Sequence, residues 1–312
     1  MINHHLICFT NEKTKFFDPV TQKVPLKIMD SSKMTLDLIA SGEYLSSVYL
    51  PPTSLKLYES VNGTNMILDT PDFPNFTRAI EHSIRTPGLW CNTKLKEKAT
   101  EFNKDKPNFQ ETYLRITLGQ NNGESKAFVL RCITSRNDKS LPFDLKNQNK
   151  QTQFAERSEM TESFESPGVP YVMEIWPPGH YSPIHSHAGA EAIIRILSGS
   201  INVNLYPFLC GEAKPFANAN FGTNEYTWVS PGLNQTHQLK NISPDTTCVS
   251  LNCYLYSDSN SVHYDYFDYL DANGLIERFE PDSDMDFLSF KALMKEEWDS
   301  SMKKKNTKKL FR

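Results

Sequence analysis

Two histidines one residue apart, His185 and His187, constrain this 312-residue chain more than any other feature. They stand in "YVMEIWPPGHYSPIHSHAGAEAIIRILSGSINVNLY", Tyr171 to Tyr206. In an extended chain alternate side chains face the same way, so both imidazoles point into one interior. A strand ends at Trp176, Pro177-Pro178-Gly179 turns, and a long strand runs up to Gly199. Ile201, Val203 and Leu205 alternate in the strand after it. About fifty residues on, Pro231-Gly232 sets another turn and His237 follows, with Asn241 four positions later. Two histidines from one strand and a third from a distant turn make one face of a coordination shell. The opposite face stays open to small molecules. Imidazole suits iron, zinc, copper and nickel alike, so ligand type alone does not choose the metal.

A lone His-x-His is more often a structural pair than a metal site, and His180 and His263 have no spacing that lifts them above that reading. The combination of Gly179, His185-x-His187, Gly199, Pro-Gly, His237 and Asn241 does. The rest of the chain divides by rhythm. Residues 1–95 read as short strands cut by turns, a small β-sandwich-like domain. Residues 96–275 read as the metal-binding β domain, and 276–312 as a helical tail ending in a basic run. Phe287, Phe290, Leu293 and Met294 recur at helical spacing. "ETYLRITLG" and "KAFVLRCIT" flank Gln120-Asn121-Asn122-Gly123 and predict a hairpin.

The net charge of −4 gives no global pull toward nucleic acid or an anionic membrane. Met1–Phe9 lacks a long apolar stretch and nothing approaches a membrane span, so the expectation is a cytoplasmic monomer. The six cysteines are scattered with no CxxC pair and read as reduced core residues.

The histidine pattern is that of the cupins, and more narrowly it resembles the cysteine dioxygenase family of thiol dioxygenases. The likeness is carried by Trp176-x-x-Gly179-His180-x-Ser182-x-Ile184-His185-x-His187, Gly199, Gly232, His237-x3-Asn241, "VSL" at 249–251 and "LYS" at 255–257. It implies an all-β cupin double-stranded β-helix, a jelly-roll barrel, with Fe2+ held by His185, His187 and His237. It implies O2 and a small thiol as the reacting partners. Three neutral imidazoles leave the iron dipositive, so a thiolate binds strongly and its pKa falls. Many cupins add a glutamate seven residues before the glycine; here that slot is Ala192, and Glu191 lies one residue off. Glu191 is therefore not expected to be a ligand. Animal family members carry at the Ala192 slot a cysteine cross-linked to a tyrosine, which alanine cannot form. An arginine upstream of the first strand holds the substrate carboxylate in that family, a role that falls on Arg157 here. The active tyrosine of "LYS" falls on Tyr256. The Ser-x-His-x relay before it reads Asn252-x-Tyr254, so either the relay is altered or a bulge shifts "VSL". Residues 43–84 separately resemble a βγ-crystallin Greek key, without its calcium signature: Glu81-His82-Ser83-Ile84 stands there.

Three functional readings stay open on sequence. One is an iron-dependent thiol dioxygenase. Another is a non-catalytic cupin joined to a crystallin-like binding module. The third is a different metal-cupin enzyme, an isomerase or lyase.

Overall fold

The computed structural model describes residues 67–118, 171–187, 190–229, 235–255 and 266–310, with the backbone of 27–30 and 47–50 and the two residues Leu55 and Tyr58. In the N-terminal part β1 (Lys27–Asp30) pairs in parallel with β2 (Ser47–Leu50). Two helices follow, α1 (Phe76–Arg85) and α2 (Trp90–Glu97), the second continued by a 3-10 turn over Lys98–Thr100. The expected β structure up to residue 95 therefore holds for β1 and β2 but not for 76–97. The helical signal was in the sequence: Phe76, Ala79, Ile80, Ser83 and Ile84 lie on one stripe, and all five are buried. The crystallin-like stretch ends in α1, which takes the place of a Greek-key strand.

Among the described residues two six-stranded sheets make the barrel. Its strands are β3 (Leu114–Thr117), β4 (Tyr171–Trp176), β5 (His185–Ser186), β6 (Glu191–Ser198), β7 (Ser200–Tyr206) and β8 (Ala217–Gly222). They continue as β9 (Tyr226–Val229), β10 (Thr236–Lys240), β11 (Cys248–Leu255), β12 (Phe267–Leu270), β13 (Ile276–Phe279) and β14 (Met285–Asp286). One sheet runs β13-β12-β5-β10-β7-β8, the other β14-β3-β4-β11-β6-β9. Neighbours are antiparallel except β14 with β3. This is the expected jelly-roll of the cupin type. β3 is the first strand of the predicted hairpin; the second, within 126–134, lies outside the described residues. The C-terminal helix α3 spans Phe287–Leu310.

The second sheet is buried on both faces, which is why β6 is buried almost throughout and places Ala192, Ile193, Ile194, Ile196 and Leu197 on its two sides. Its inner face meets the other sheet through Trp176, Ile194, Ile196, Val203, Leu205 and Phe267. Its outer face, through Leu114, Ile116, Met173, Ile175 and Leu251, packs on α1, α2 and α3 through Phe76, Ile80, Leu95, Phe287, Phe290 and Met294. A buried ion network pins this helical layer to the barrel. Lys98 Nζ lies 3.0 Å from both Asp284 and Glu101, and Asp284 accepts the Arg115 backbone N–H at 2.8 Å. Between β6 and β7, Gly199 has φ 75°, and a Cβ there would stand 2.6 Å from the Thr247 carbonyl oxygen, so the turn admits only glycine.

Candidate metal centre

The motif residues that carry no imidazole set the frame. Asn241 is fully buried; its amide donates at 2.8 Å to the carbonyls of Trp176 and Thr246, and its own carbonyl accepts from Gly179 N at 2.9 Å. It thus fastens the Pro177–Gly179 turn to the end of β10. Ser182 works the same way, its Oγ accepting from Leu239 N at 3.1 Å. These ties hold the two-residue strand β5 between β10 and β12, where too few ladder bonds exist to fix it alone.

On that frame His185 stands opposite His237 in the β5–β10 ladder, and Tyr269 of β12 flanks His185 on the other side. His187 follows two residues on, and its N–H donates to Gln235 O at 3.3 Å. The coordinating nitrogens of the three histidines all lie within 4.8 Å of one another. His185 Nε2 and His187 Nε2 are 3.1 Å apart. Nitrogens bound at about 2.0–2.1 Å to one ion are separated by about 3 Å, so this spacing fits a shared metal. His185 Nδ1 donates to the Pro183 carbonyl at 3.0 Å, which fixes the tautomer and turns the Nε2 lone pair to the cluster. Burial holds His185 in its neutral form, its pKa down at about 4, and the Arg115 charge adds to the effect. His187 is also held far down, by burial and then by its two histidine neighbours. Convergent imidazoles, two of them held neutral and one with its tautomer fixed, suit a metal.

The walls are aromatic. Phe267 lies against His185 and His187 with ring centroids at 4.8 and 5.9 Å. Tyr254 lies over His187 at 5.6 Å and 29°. Among the described residues the convergent group is these three histidines, and Glu191, buried at the start of β6, is outside it. His180 is apart too: its Nδ1 lies 2.8 Å from the Thr112 carbonyl.

Arg157 and Tyr256 lie outside the described residues. In their place the structure brings forward Tyr254 and Arg115, which the sequence reading passed over. Tyr254 stands opposite Ala192, the slot that carries the cross-linked cysteine in animal members of the family that the motif resembles. On β11 the ladder to β6 slips between Val249 and Ser250, skipping Leu197. Ser250, Asn252 and Tyr254 then follow along the inner face. Trp176 Nε1 donates to Ser250 Oγ at 3.4 Å, and Asn252 Nδ2 to Tyr254 Oη at 3.4 Å. Counting from "VSL" instead of "LYS" would have found Tyr254. Arg115 sits in β3, its guanidinium 4.9 Å over Tyr113 and 4.6 Å over Phe279. Its Nε donates to Asp282 O at 3.1 Å and its Nη2 to Glu101, while Nη1 is buried with no hydrogen-bond partner among the described residues. The signal missed was Tyr113-x-Arg115 in a strand otherwise apolar.

Residues 165–266 match the family model of cysteine dioxygenase type I. The match takes in all three histidines, Tyr254 and the turn of Asn241, and covers about a third of the chain. The cysteine dioxygenase-like segment is therefore the barrel wall that builds the histidine cluster. Among solved structures, oxalate oxidase overlaps 28% of this chain and 41% of its own at 19% identity, with a TM-score of 0.24. A cupin-superfamily sugar phosphate isomerase from Silicibacter pomeroyi overlaps 35% and 66% at 16% identity, TM-score 0.23. This chain thus spans about two fifths of the oxalate oxidase it matches. The strand order, not these short overlaps, carries the fold. Among the described residues no helix is long and apolar enough to cross a membrane.

Proposed function

We propose that this protein is an iron-dependent thiol dioxygenase that converts cysteine or a similar small thiol to its sulfinic acid, R–SH + O2 → R–SO2H. The observation that carries the reading is a three-histidine cluster, joined by no carboxylate among the described residues, inside a segment matching the cysteine dioxygenase family. The donor set fits ferrous iron: His185, His187 and His237 would hold it. Bound iron supplies the one-electron chemistry that O2 requires and that closed-shell zinc lacks. The neutral imidazoles leave the full dipositive charge to draw a thiolate. Phe267 and the apolar barrel interior exclude water, and Tyr254 presents a phenol beside His187.

Two arginines are available for a substrate carboxylate. Arg157 is the one the family pattern suggests. Arg115 has support from geometry: among the described residues its buried Nη1 lacks a partner while the rest of its fork is engaged, and its charge reaches His185. Arg115→Lys keeps the charge and loses the fork, and should raise KM for cysteine roughly tenfold while leaving cysteamine, which has no carboxylate, nearly unaffected. Equal losses for both thiols would make Arg115 structural, and the same selective pattern from Arg157→Ala would move the role there.

The test of the function is protein purified without oxygen. About one iron per chain is expected, lost in His187→Ala, with oxygen uptake on adding cysteine and both atoms of labelled O2 found in the sulfinate. Stoichiometric zinc with full activity would overturn the iron, and absence of uptake with iron bound would overturn the dioxygenase reading.

A further inference from the structure

Arg115 is gripped from outside the barrel strands. It stands on β3 and is 3% exposed. Its guanidinium lies 4.6 Å over Phe279, whose ring centroid is 5.1 Å from that of Phe267, the ring packed on His185 and His187. Two rings in contact thus link the fork to the histidine cluster. A guanidinium presents its donors in one rigid plane, so holding two of its nitrogens decides where the third points. Here Nε donates to the Asp282 carbonyl at 3.1 Å and Nη2 donates to Glu101 Oε1. Nη1 is left over, buried and with no partner among the described residues.

Glu101 belongs to the helical layer. It follows the 3-10 turn that continues α2, and its backbone N–H donates to Lys98 O at 2.9 Å. Lys98 also brings its ammonium within 3.0 Å of Glu101 Oε1 and of Asp284. One carboxylate oxygen therefore meets two cations, while Oε2, also buried, has no partner among the described residues. A bidentate arginine–carboxylate pair, the stronger arrangement, would engage both oxygens. The pair built here gives up that gain, fixes the plane of the guanidinium and leaves Nη1 unspent.

We propose that Glu101 is a positioning residue for Arg115: held by Lys98 at the end of α2, it pins Nη2 so that Nη1 is presented to the carboxylate of an amino-acid thiol in the barrel. The proposal deepens the dioxygenase reading, and its substrate rests on that reading; the pinning of the guanidinium stands on the geometry alone.

Two substitutions separate aim from charge. Glu101→Asp keeps the charge and shortens the reach to Nη2. Glu101→Gln keeps the reach and an acceptor oxygen and loses the charge. Both leave a polar group beside Lys98, so neither strands its ammonium in the interior. NMR uses the full chain, 15N-labelled at arginine, with diamagnetic zinc in place of iron; the Arg115 signals are those that Arg115→Lys removes. The two Nη groups of the wild type should give separate resonances, because a pinned guanidinium turns slowly about Cζ–Nε. They should stay separate in Glu101→Gln and merge in Glu101→Asp. Cysteine should shift them in the wild type and in Glu101→Gln, and cysteamine should not. In the iron-loaded enzyme the preference for cysteine over cysteamine, as a ratio of kcat/KM values, should fall about tenfold in Glu101→Asp, through KM and not kcat, and stay within about twofold in Glu101→Gln. Separate resonances in Glu101→Asp, wild-type resonances that cysteine does not move, or a preference kept in Glu101→Asp and lost in Glu101→Gln would each overturn the proposal. The NMR outcomes need no turnover. A chain that pins Arg115 and binds cysteine without oxidising it therefore refutes the dioxygenase reading and leaves the role of Glu101 standing.

Discussion

The sheet β14-β3-β4-β11-β6-β9 has two faces built on opposite rules. Its outer face is apolar where α1, α2 and α3 seal it, with Glu191 and Arg195 of β6 buried farther along the same face. Its inner face interrupts an equally buried apolar surface with Arg115, Glu174, Ser250 and Asn252. Stability alone would not put ionisable groups there: replacing buried polar groups with well-packed apolar ones is often neutral or stabilising. The inner polar residues face the barrel interior that holds the histidines, whereas the outer face packs on the helices. The contrast separates the part of the molecule that folds the barrel from the part that equips it.

The strongest way to break that contrast is to remove the outer layer. A chain beginning at residue 96 lacks α1 and α2 and leaves Phe287, Phe290 and the Leu114–Ile116 face uncovered. Insoluble or metal-free protein is expected. Soluble protein with iron and near-normal turnover would show instead that residues 1–95 are an independent domain.

Next in size is Phe290→Ala, at full burial under the helices. It should cost about 3–5 kcal/mol in denaturant unfolding, while metal per folded chain stays unchanged. Loss of metal without loss of stability would collapse the distinction between the faces.

Glu174→Gln probes the inner face through pH. Burial pushes Glu174 up to about 7, partly offset by the Arg115 charge. A carboxyl whose folded pKa is raised favours the folded state below its unfolded value near 4.5 and loses that advantage as pH rises through 7. Wild-type stability should therefore fall across that window by on the order of 3 kcal/mol from this group. Glu111, also raised to about 7 by burial, adds its own share. Glu174→Gln should flatten the Glu174 part; an unchanged pH profile would mean that Glu174 is not the group titrating.

The smallest effect expected is Tyr254→Phe. Iron content and melting should be unchanged and kcat should fall about tenfold, near 1.4 kcal/mol in barrier. A full loss of metal would make Tyr254 structural.

Much of the site was legible before any coordinates. Strand alternation joins His185 to His187, and Gly199 and Asn241 announce the turns that the ladder requires, because a positive φ and a buried turn each demand one residue type. The apolar stripe of Phe287, Phe290 and Met294 made α3 readable for the same local reason. The stripe of α1 was equally present but was overlooked beside the turn signals around it. What only the tertiary structure decided is non-local. Alternation places Ser250, Asn252 and Tyr254 on one face, yet Tyr254 meets Ala192 only because of the slip at Leu197, a property of two strands and not of either one. Arg115 and Glu174 look like surface charges in short strands. Their burial follows only once helices close one face of the sheet and a second sheet closes the other.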